Sequence, residues 1–513
     1  MMIFPFTPSQ TSEEALENIF VQHQELVIYL IQSIRNSALT ESRQYHLLIG
    51  RNGIGKSHLI SLIYNRLRSM EDLQGLLIAR LKEEEFGINS FLDLLIRIIK
   101  ALDESLQNQR LADLYKMPVE QAQANALQIL REAAGGRKIA LIVENLQEVF
   151  AGLGAEGQSQ LRSFLDEGTC CTILATSQSL FSNVTSHKSA FYGFFSVRTL
   201  PELTTEEAAH LLANIANLEQ KTELEDFIKT SNGRDRIRVI HYLLGGIPRF
   251  YVVLSRFIDN YQSLDELEEP LLAMVDAVTP YCSVKMQWLS RQQRKIVEIL
   301  ADYGYALSVK EIAQRCFTSH QTVSSQLKDL REINFVVSEA IGRESFYELK
   351  DPVIGFWLNL RRGQSKRIGL LIHFLKIWFD EEKLIDQSTT SINEASLRCR
   401  IVFGNYSEEN AWRSAVRNLI EFFSISNSVT LLSQGLVRTI PIIMSGNVTN
   451  ELAQLWLNIW QDSVGLDDNF FIALEMLHIA IQYKLANGDR RILLRLPISE
   501  RYLLKSLLLI SNN

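Results

Sequence analysis

Short apolar runs and amphipathic stretches alternate through residues 1 to about 260. Tyr45–Ile49 reads as a short apolar strand and Leu76–Leu81 as a second, while Ile139–Val143 and Cys170–Thr176 are continuous apolar runs, the mark of strands buried on both faces. Phe194–Thr199 reads as a fifth strand. Between them lie helical patterns at about Lys56–Arg68, Ser90–Leu106 and Val119–Ala134, the last stopped by Gly135-Gly136. Strands alternating with helices predict a parallel sheet covered on both sides. Thr204-x-x-Glu207 then opens a helical section that runs to about Asn260.

The pattern changes after residue 280. Capping boxes are expected at Ser290…Gln293, Ser308…Glu311 and Thr318…Gln321, each pairing a hydroxyl acceptor with a reciprocating side chain at N3. They predict helices at about Arg291–Ala301, Val309–Arg315 and Ser319–Arg331. Two β-rich runs follow, Phe335–Ser338 and Ser345–Leu349, joined by Ile341-Gly342-Arg343. Three helices and a hairpin make a winged-helix pattern. From residue 365 onward the chain reads as helical, for example at Arg367–Phe379, Trp412–Phe423, Glu451–Trp460 and Phe470–Lys484. Its frequent aromatic residues suit a helical core, or else a receptor surface for a protein partner.

Composition narrows the options. The 513 residues carry 52 basic and 59 acidic side chains, a net charge of −7, with 46% hydrophobic residues. This is an ordinary globular balance, not that of a disordered chain or a general polyanion binder. The five cysteines include no C-x-x-C pair, which disfavours a zinc ribbon or a disulfide scaffold. Reduced thiols and a cytoplasmic location are expected. MMIFPFTPSQ lacks a basic, apolar leader pattern, and no run approaches the roughly 18–20 apolar residues a membrane span needs.

One motif carries specific chemistry. Gly50-Arg51-Asn52-Gly53-Ile54-Gly55-Lys56-Ser57 satisfies G-x-x-x-x-G-K-[ST], with a strand before it and a helix starting inside it. Glycines let backbone N–H groups form an anion nest, and the helix N-terminus adds positive potential. Lys56 is expected on the β- and γ-phosphates, Ser57 on Mg²⁺, and His58 beside the nucleotide. Leu141-Ile142-Val143-Glu144-Asn145 supplies an acidic group at a strand end, so Glu144 is the expected magnesium-side carboxylate. Asn145 follows, where such ATPases usually carry a glutamate base. An amide can orient a water but cannot accept its proton. Glu148, one helical turn on, is the alternative base. Thr176 or Ser177 ends the next strand, in position to sense a γ-phosphate. Arg249, in Gly246-Ile247-Pro248-Arg249, can reach the same phosphate from a helix start.

These residues together resemble the P-loop ATPases of the AAA+/STAND group, in particular the archaeal-ATPase and origin-recognition-like branch. The resemblance spans about residues 15–362. It includes Ile19-Phe20-Val21-Gln22-His23-Gln24-Glu25-Leu26, the phosphate loop, Glu144, Thr176, Gly246–Arg249 and Tyr347-Glu348-Leu349-Lys350-Asp351-Pro352 with Phe356-Trp357. It implies an α/β P-loop NTPase with a parallel, AAA+-like sheet, a helical lid, a winged-helix domain and an all-α C-terminal domain. The expected divisions are 1–200, 201–280, 281–364 and 365–513. It also implies ATP or ADP with Mg²⁺ as ligands. Phe20 and Val21 would border the adenine, Thr176 or Ser177 would be the first sensor and Arg249 the second. Two departures stand out. The usual Asp-Glu pair is Glu144-Asn145, and Phe181–Gly193 holds no arginine where oligomeric relatives carry a finger; Lys188 is its one fixed cation. Both imply tight binding and slow hydrolysis.

The winged-helix block, residues 289–362, contains 11 Lys/Arg and 9 Asp/Glu, a local excess of two positive charges. Ser319, His320, Gln321, Ser324, Ser325 and Lys328 on its third helix, with Arg343 on the wing, are the residues expected to meet duplex DNA. Asp329, Glu332, Glu339 and Glu344 oppose them. Arg361, Arg362, Lys366 and Arg367 form a denser basic cluster. Three readings follow: an ATP switch that engages DNA and assembles into a nucleotide-dependent homo-oligomer, a signalling or defence ATPase whose winged helix is structural and whose helical tail binds a protein, and a nucleotide-binding scaffold with negligible turnover.

Overall fold

The computed structural model describes residues 8–81, 87–102, 110–167, 170–362, 372, 376, 471–497, 500–501 and 504–505. Apart from 372 and 376, the expected helices at Arg367–Phe379, Trp412–Phe423 and Glu451–Trp460 lie outside these residues, as do Lys366, Arg367 and Cys399. The chain divides into two compact units. One comprises Met1–Gln220 with Ile247–Val252, the other Lys221–Gly246 with Val253–Asn513.

The first unit is built on five parallel strands: β1 Gln44–Ile49, β2 Leu77–Leu81, β3 Ile139–Val143, β4 Cys170–Ser177 and β5 Ser196–Thr199. They lie in the order β2-β3-β4-β1-β5. In β1, β3 and β4 successive apolar residues feed different cores. Leu47, Leu141 and Ile173 join Leu94, Leu95, Ile99 and Phe150 on one face. Leu48, Ile142 and Leu174 join Val27, Leu30, Leu59, Ile60 and Ile63 on the other. The second group comes from the helices Gln24–Leu39 and Lys56–Ser69. The helix Val119–Ala134 ends at Gly135 in the left-handed conformation, as its glycine pair predicts. β5 starts two residues later than expected, because Phe194 and Phe195 turn inward to pack with Phe191.

Register places the chemistry. Ile49 pairs with Ser177 and with Thr199, and Val143 pairs with Ala175. The phosphate loop, Glu144-Asn145 and Thr176-Ser177 therefore emerge together at the carboxyl end of the sheet, where open α/β folds bind ligands.

In the second unit, the helices Arg291–Tyr303, Val309–Cys316 and His320–Glu332 precede a hairpin of β7 Val336–Ile341 and β8 Glu344–Leu349. A short strand, β6 Leu307–Ser308, completes an antiparallel sheet in the order β6-β8-β7. This is the winged-helix arrangement, with Gly342 taking the positive φ of +64° that the turn requires. The capping boxes at Ser290 and Ser308 form as expected. The third is corrected by one residue: Ser319, not Thr318, caps its helix and accepts from the Thr322 N–H at 3.2 Å. Thr318 is committed elsewhere, its N–H closing the preceding helix on Ala313.

The Tyr347–Pro352 segment is a structural knot. Glu348 receives two hydrogen bonds from Arg501, at 3.1 and 2.8 Å. Lys350 donates to Asn334 at 2.7 Å. Asp351 caps the helix Pro352–Arg361 and pairs with Lys285 at 3.3 Å.

Cys170, Cys171, Cys282 and Cys316 are buried free thiols. Burial pushes Cys170 and Cys282 up to about 12 and Cys171 to about 11, so all three stay protonated. Among the described residues no helix is long and apolar enough to cross a membrane.

Candidate functional site

The phosphate loop links β1 to the helix Lys56–Ser69. Gly53 and Gly55 hold φ of +88° and +100°, which turns successive N–H groups the same way. The buried Lys56 ammonium donates to the carbonyls of Gly50 and Arg51, at 2.6 and 3.1 Å. Its charge is thereby folded back over the loop that an anion would fill. Arg51 itself pairs with Glu202 at 2.6 Å, and Ile54 is buried in the core. The Gly50 N–H donates to the Ser177 carbonyl, which ties the loop to the end of β4.

A cavity opens over this loop. It is lined by Asn52, Gly53, Gly55, Lys56, Ser57 and His58 from the loop and helix, and by Asn145 and Thr176 from the strand ends. Leu16 and Ile19 add apolar surface, and Pro8, Thr11, Pro248, Arg249 and Val252 complete it. Residues distant in sequence are thus gathered around one nest: the loop, two strand ends and the Pro248–Arg249 helix start.

Each strand-end group has a defined partner. Asn145 adopts a left-handed conformation, φ 53° and ψ 53°, at the N-terminus of the helix Leu146–Asp166. Asparagine tolerates that geometry better than most residues. Its N–H donates to Thr176 Oγ1 at 3.2 Å. The Ser177 hydroxyl donates instead to the Ser179 carbonyl. The Arg249 N–H donates to the Gly53 carbonyl at 3.2 Å, and a Cβ at Gly53 would meet Arg249 Cβ at 3.0 Å.

The nucleotide-side residues are placed unevenly. His58 lines the cavity, with its Nε2 2.9 Å from the Leu16 carbonyl. Burial holds its pKa below the ordinary histidine value, with the Leu16 bond and Glu17 opposing. Phe20 stacks on His58 at 5.7 Å. Phe20 and Val21 are not among the lining residues; Leu16, one turn before Phe20, and Ile19, immediately before it, are. The sequence offered no signal for that choice, because all four are apolar.

The arrangement can hold a polyphosphate: an N–H nest, an ammonium, a guanidinium and two strand-end polar groups face one space. For a hard cation the donors are oxygen groups, Ser57 in the lining and Glu144 behind it. Glu144 is buried, is not among the lining residues, and forms an ion pair with Arg80 at 3.0 Å. Glu148 is exposed and lies outside the lining as well. Arg80 was missed by motif reading, although one arginine inside the strand Leu77–Leu81 already calls for a buried partner. Among the described residues no group of His, Cys, Asp and Glu could itself hold a metal.

On the winged helix, Ser319, His320, Gln321, Ser324, Ser325 and Lys328 are all exposed, opposite the buried Val323, Leu327 and Leu330. Ser319 is partly engaged, since its hydroxyl lies 2.7 Å from that of Thr322. Arg343 is exposed at the wing turn. Arg362, from the denser basic cluster, is instead paired with Glu298 and Asp302. Phe317, 91% exposed in a left-handed turn just before this helix, was not anticipated.

Fold and loop define an α/β P-loop NTPase, AAA+-like in its parallel sheet and followed by a winged helix. No protein-family model matches the sequence. A curated relative is an HTH-type transcriptional regulator of Methanocaldococcus jannaschii, itself uncharacterised, 22% identical over 358 residues, covering 63% of this chain and 86% of the relative. Among solved structures, the chain is similar to a Walker-type ATPase of Pyrococcus abyssi, with 15% identity, TM-score 0.48, and coverage of 66% of this chain and 96% of that one. It is also similar to the ORC2 protein of Aeropyrum pernix, with 13% identity, TM-score 0.47, and coverage of 66% and 95%.

Proposed function

We propose that this chain is an ATP-binding molecular switch, a slow ATPase that couples nucleotide state to assembly and to engagement of duplex DNA by its winged helix. The observation that carries the reading is the cavity joining the phosphate loop to Asn145, Thr176 and Arg249. In this reading the amides of Gly53, Gly55, Lys56 and Ser57, with the Lys56 ammonium, bind the β- and γ-phosphates, while the Gly50 and Ile54 N–H groups stay on the Ser177 and Arg51 carbonyls. Ser57 is the metal-side hydroxyl and Glu144 the acidic group behind it. Mg²⁺, when bound, would neutralise charge on the phosphates. Thr176 positions Asn145 through the Asn145 N–H, and Arg249 reads the γ-phosphate. Asn145 orients a water but does not take its proton, and exposed Glu148 stands outside the cavity. Both support slow turnover.

Support for DNA is the exposed polar face from His320 to Lys328, the exposed Arg343, and the regulator description of the M. jannaschii relative. The small charge excess implies weak, salt-sensitive binding per subunit, strengthened by assembly. The second reading is a STAND-type signalling ATPase with a structural winged helix and a protein-binding helical tail. It is favoured by the Arg501–Glu348 brace, which ties C-terminal residues to the wing sheet.

Size-exclusion chromatography with ATP, ADP and duplex DNA separates these readings. Nucleotide-dependent assembly with co-elution of DNA supports the first. Assembly without DNA in low salt favours the second. Turnover of many ATP per second, abolished by Lys56→Ala and Glu144→Gln, would refute the slow switch.

A further inference from the structure

β2 carries one charged residue, Arg80, in register with Ile142 of β3. Ile142 packs in the core beneath the Lys56–Ser69 helix, and Arg80 faces the same side. Its Nη2 donates to Glu144 Oε1 at 3.0 Å and to Ser61 Oγ at 2.9 Å. The Ser61 hydroxyl donates in turn to the Ser57 carbonyl at 2.7 Å. The guanidinium carbon lies 5.6 Å from the Tyr64 ring centroid. The pair is nearly dry: the side chains of Arg80 and Glu144 are 11% and 4% exposed. A buried chain of hydrogen bonds therefore runs from the strand-end carboxylate to the residue carrying the metal-side hydroxyl.

We propose that Arg80 is a built-in counter-cation for Glu144, a positioning residue that withholds this carboxylate from Mg²⁺. The inference rests on the nucleotide reading of the cavity. A carboxylate buried against a guanidinium is already neutralised, so a hydrated divalent cation must displace that partner before Glu144 can help to hold it. Nucleotide is consequently held by the loop amides and Lys56, with little assistance from the metal. Arg80 is not among the residues lining the cavity and acts only through Glu144 and Ser61.

The test is equilibrium binding of a fluorescent ATP analogue to the full chain, in EDTA and in excess Mg²⁺, with melting curves as a check on folding. The wild type is expected to bind with nearly the same affinity in both. In Arg80→Gln, Mg²⁺ should tighten binding on the order of tenfold or more, the scale on which outer partners tune metal affinity. Arg80→Lys should behave as wild type, and adding Glu144→Gln to Arg80→Gln should abolish the gain. Wild-type binding that tightens tenfold with Mg²⁺ overturns the proposal even if Arg80→Gln fails to fold, while leaving the nucleotide reading intact. Equal binding by wild type and Lys56→Ala in EDTA overturns the nucleotide reading itself, and this proposal with it.

Discussion

The backbone N–H of Arg249 donates to the carbonyl of Gly53 at 3.2 Å, which joins the Pro248 helix start to the tip of the phosphate loop. Any movement of one is felt by the other. Gly53→Ala should therefore disturb both. The alanine would be forced to φ +88°, with its Cβ 3.0 Å from Arg249 Cβ and from Ile247 Cγ2. A destabilisation of about 1–3 kcal/mol is expected, measured by chemical denaturation, together with weaker nucleotide binding.

Arg249→Ala should weaken ATP binding more than ADP binding. A charge-assisted hydrogen bond is worth about 1.5–3 kcal/mol, so the preference for ATP should fall on the order of tenfold. Competition titrations of the two nucleotides measure it. An unchanged ratio would remove Arg249 from the γ-phosphate.

Asn145→Asp should raise the rate of hydrolysis on the order of 10²-fold, the typical contribution of a positioned general base. Aspartate also tolerates the left-handed backbone at this position better than glutamate does. Single-turnover hydrolysis is the measurement. No change would mean that the slow step lies elsewhere.

Arg501→Met should destabilise the second unit by about 3–5 kcal/mol, because it strands Glu348 as a buried, unpaired carboxylate. The double variant with Glu348→Leu should recover much of the loss. Thermal melts of the single and double variants decide this, and equal melting temperatures throughout would show the pair to be inert.

Acid should destabilise the chain. His23, His46 and His58 all have pKa values held below the ordinary value, with burial the first cause, and burial drives His478 down to about 4. Between the folded pKa values and the unfolded value of about 6.5, the unfolded chain binds more protons. Stability is full above that unfolded value and is lost as pH falls through the folded values. Melting temperature measured from pH 7.5 down to 4 should drop, and the drop should shrink in His58→Gln.

Charge reversal at Lys328 and Arg343 should weaken low-salt binding of duplex DNA and flatten its salt dependence by about one unit for each phosphate no longer neutralised. The Lys328 ammonium is 4.0 Å from Glu332, an exposed pair too weak to withhold it from a phosphate. Gel-shift titrations over a salt series would show it, and unaltered binding would point to the structural reading of the winged helix.

The local features were legible in the chain. Apolar runs located β1 to β4, two of the three expected capping boxes appear at their stated residues, and the phosphate loop lies between its strand and helix. These signals depend on neighbours a few residues apart, so local sequence suffices to encode them. The cap differed by one residue: the Thr318 N–H closes the preceding helix on Ala313 and its hydroxyl accepts from Gln292 at 3.4 Å, while Ser319 accepts from the Thr322 N–H. What the tertiary structure alone decided were the long-range pairings: Arg80 with Glu144, Arg501 with Glu348, and Arg362 with Glu298 and Asp302. Each joins groups 60 or more residues apart. A charge count treats such residues as free, and only the packing of strands and helices determines which charge is already neutralised. By itself, then, the sequence determined a phosphate-binding loop on a parallel sheet and a winged-helix pattern after it. The fold decided which of the charged residues around them remain available for a ligand, because burial and proximity are properties of the assembled structure.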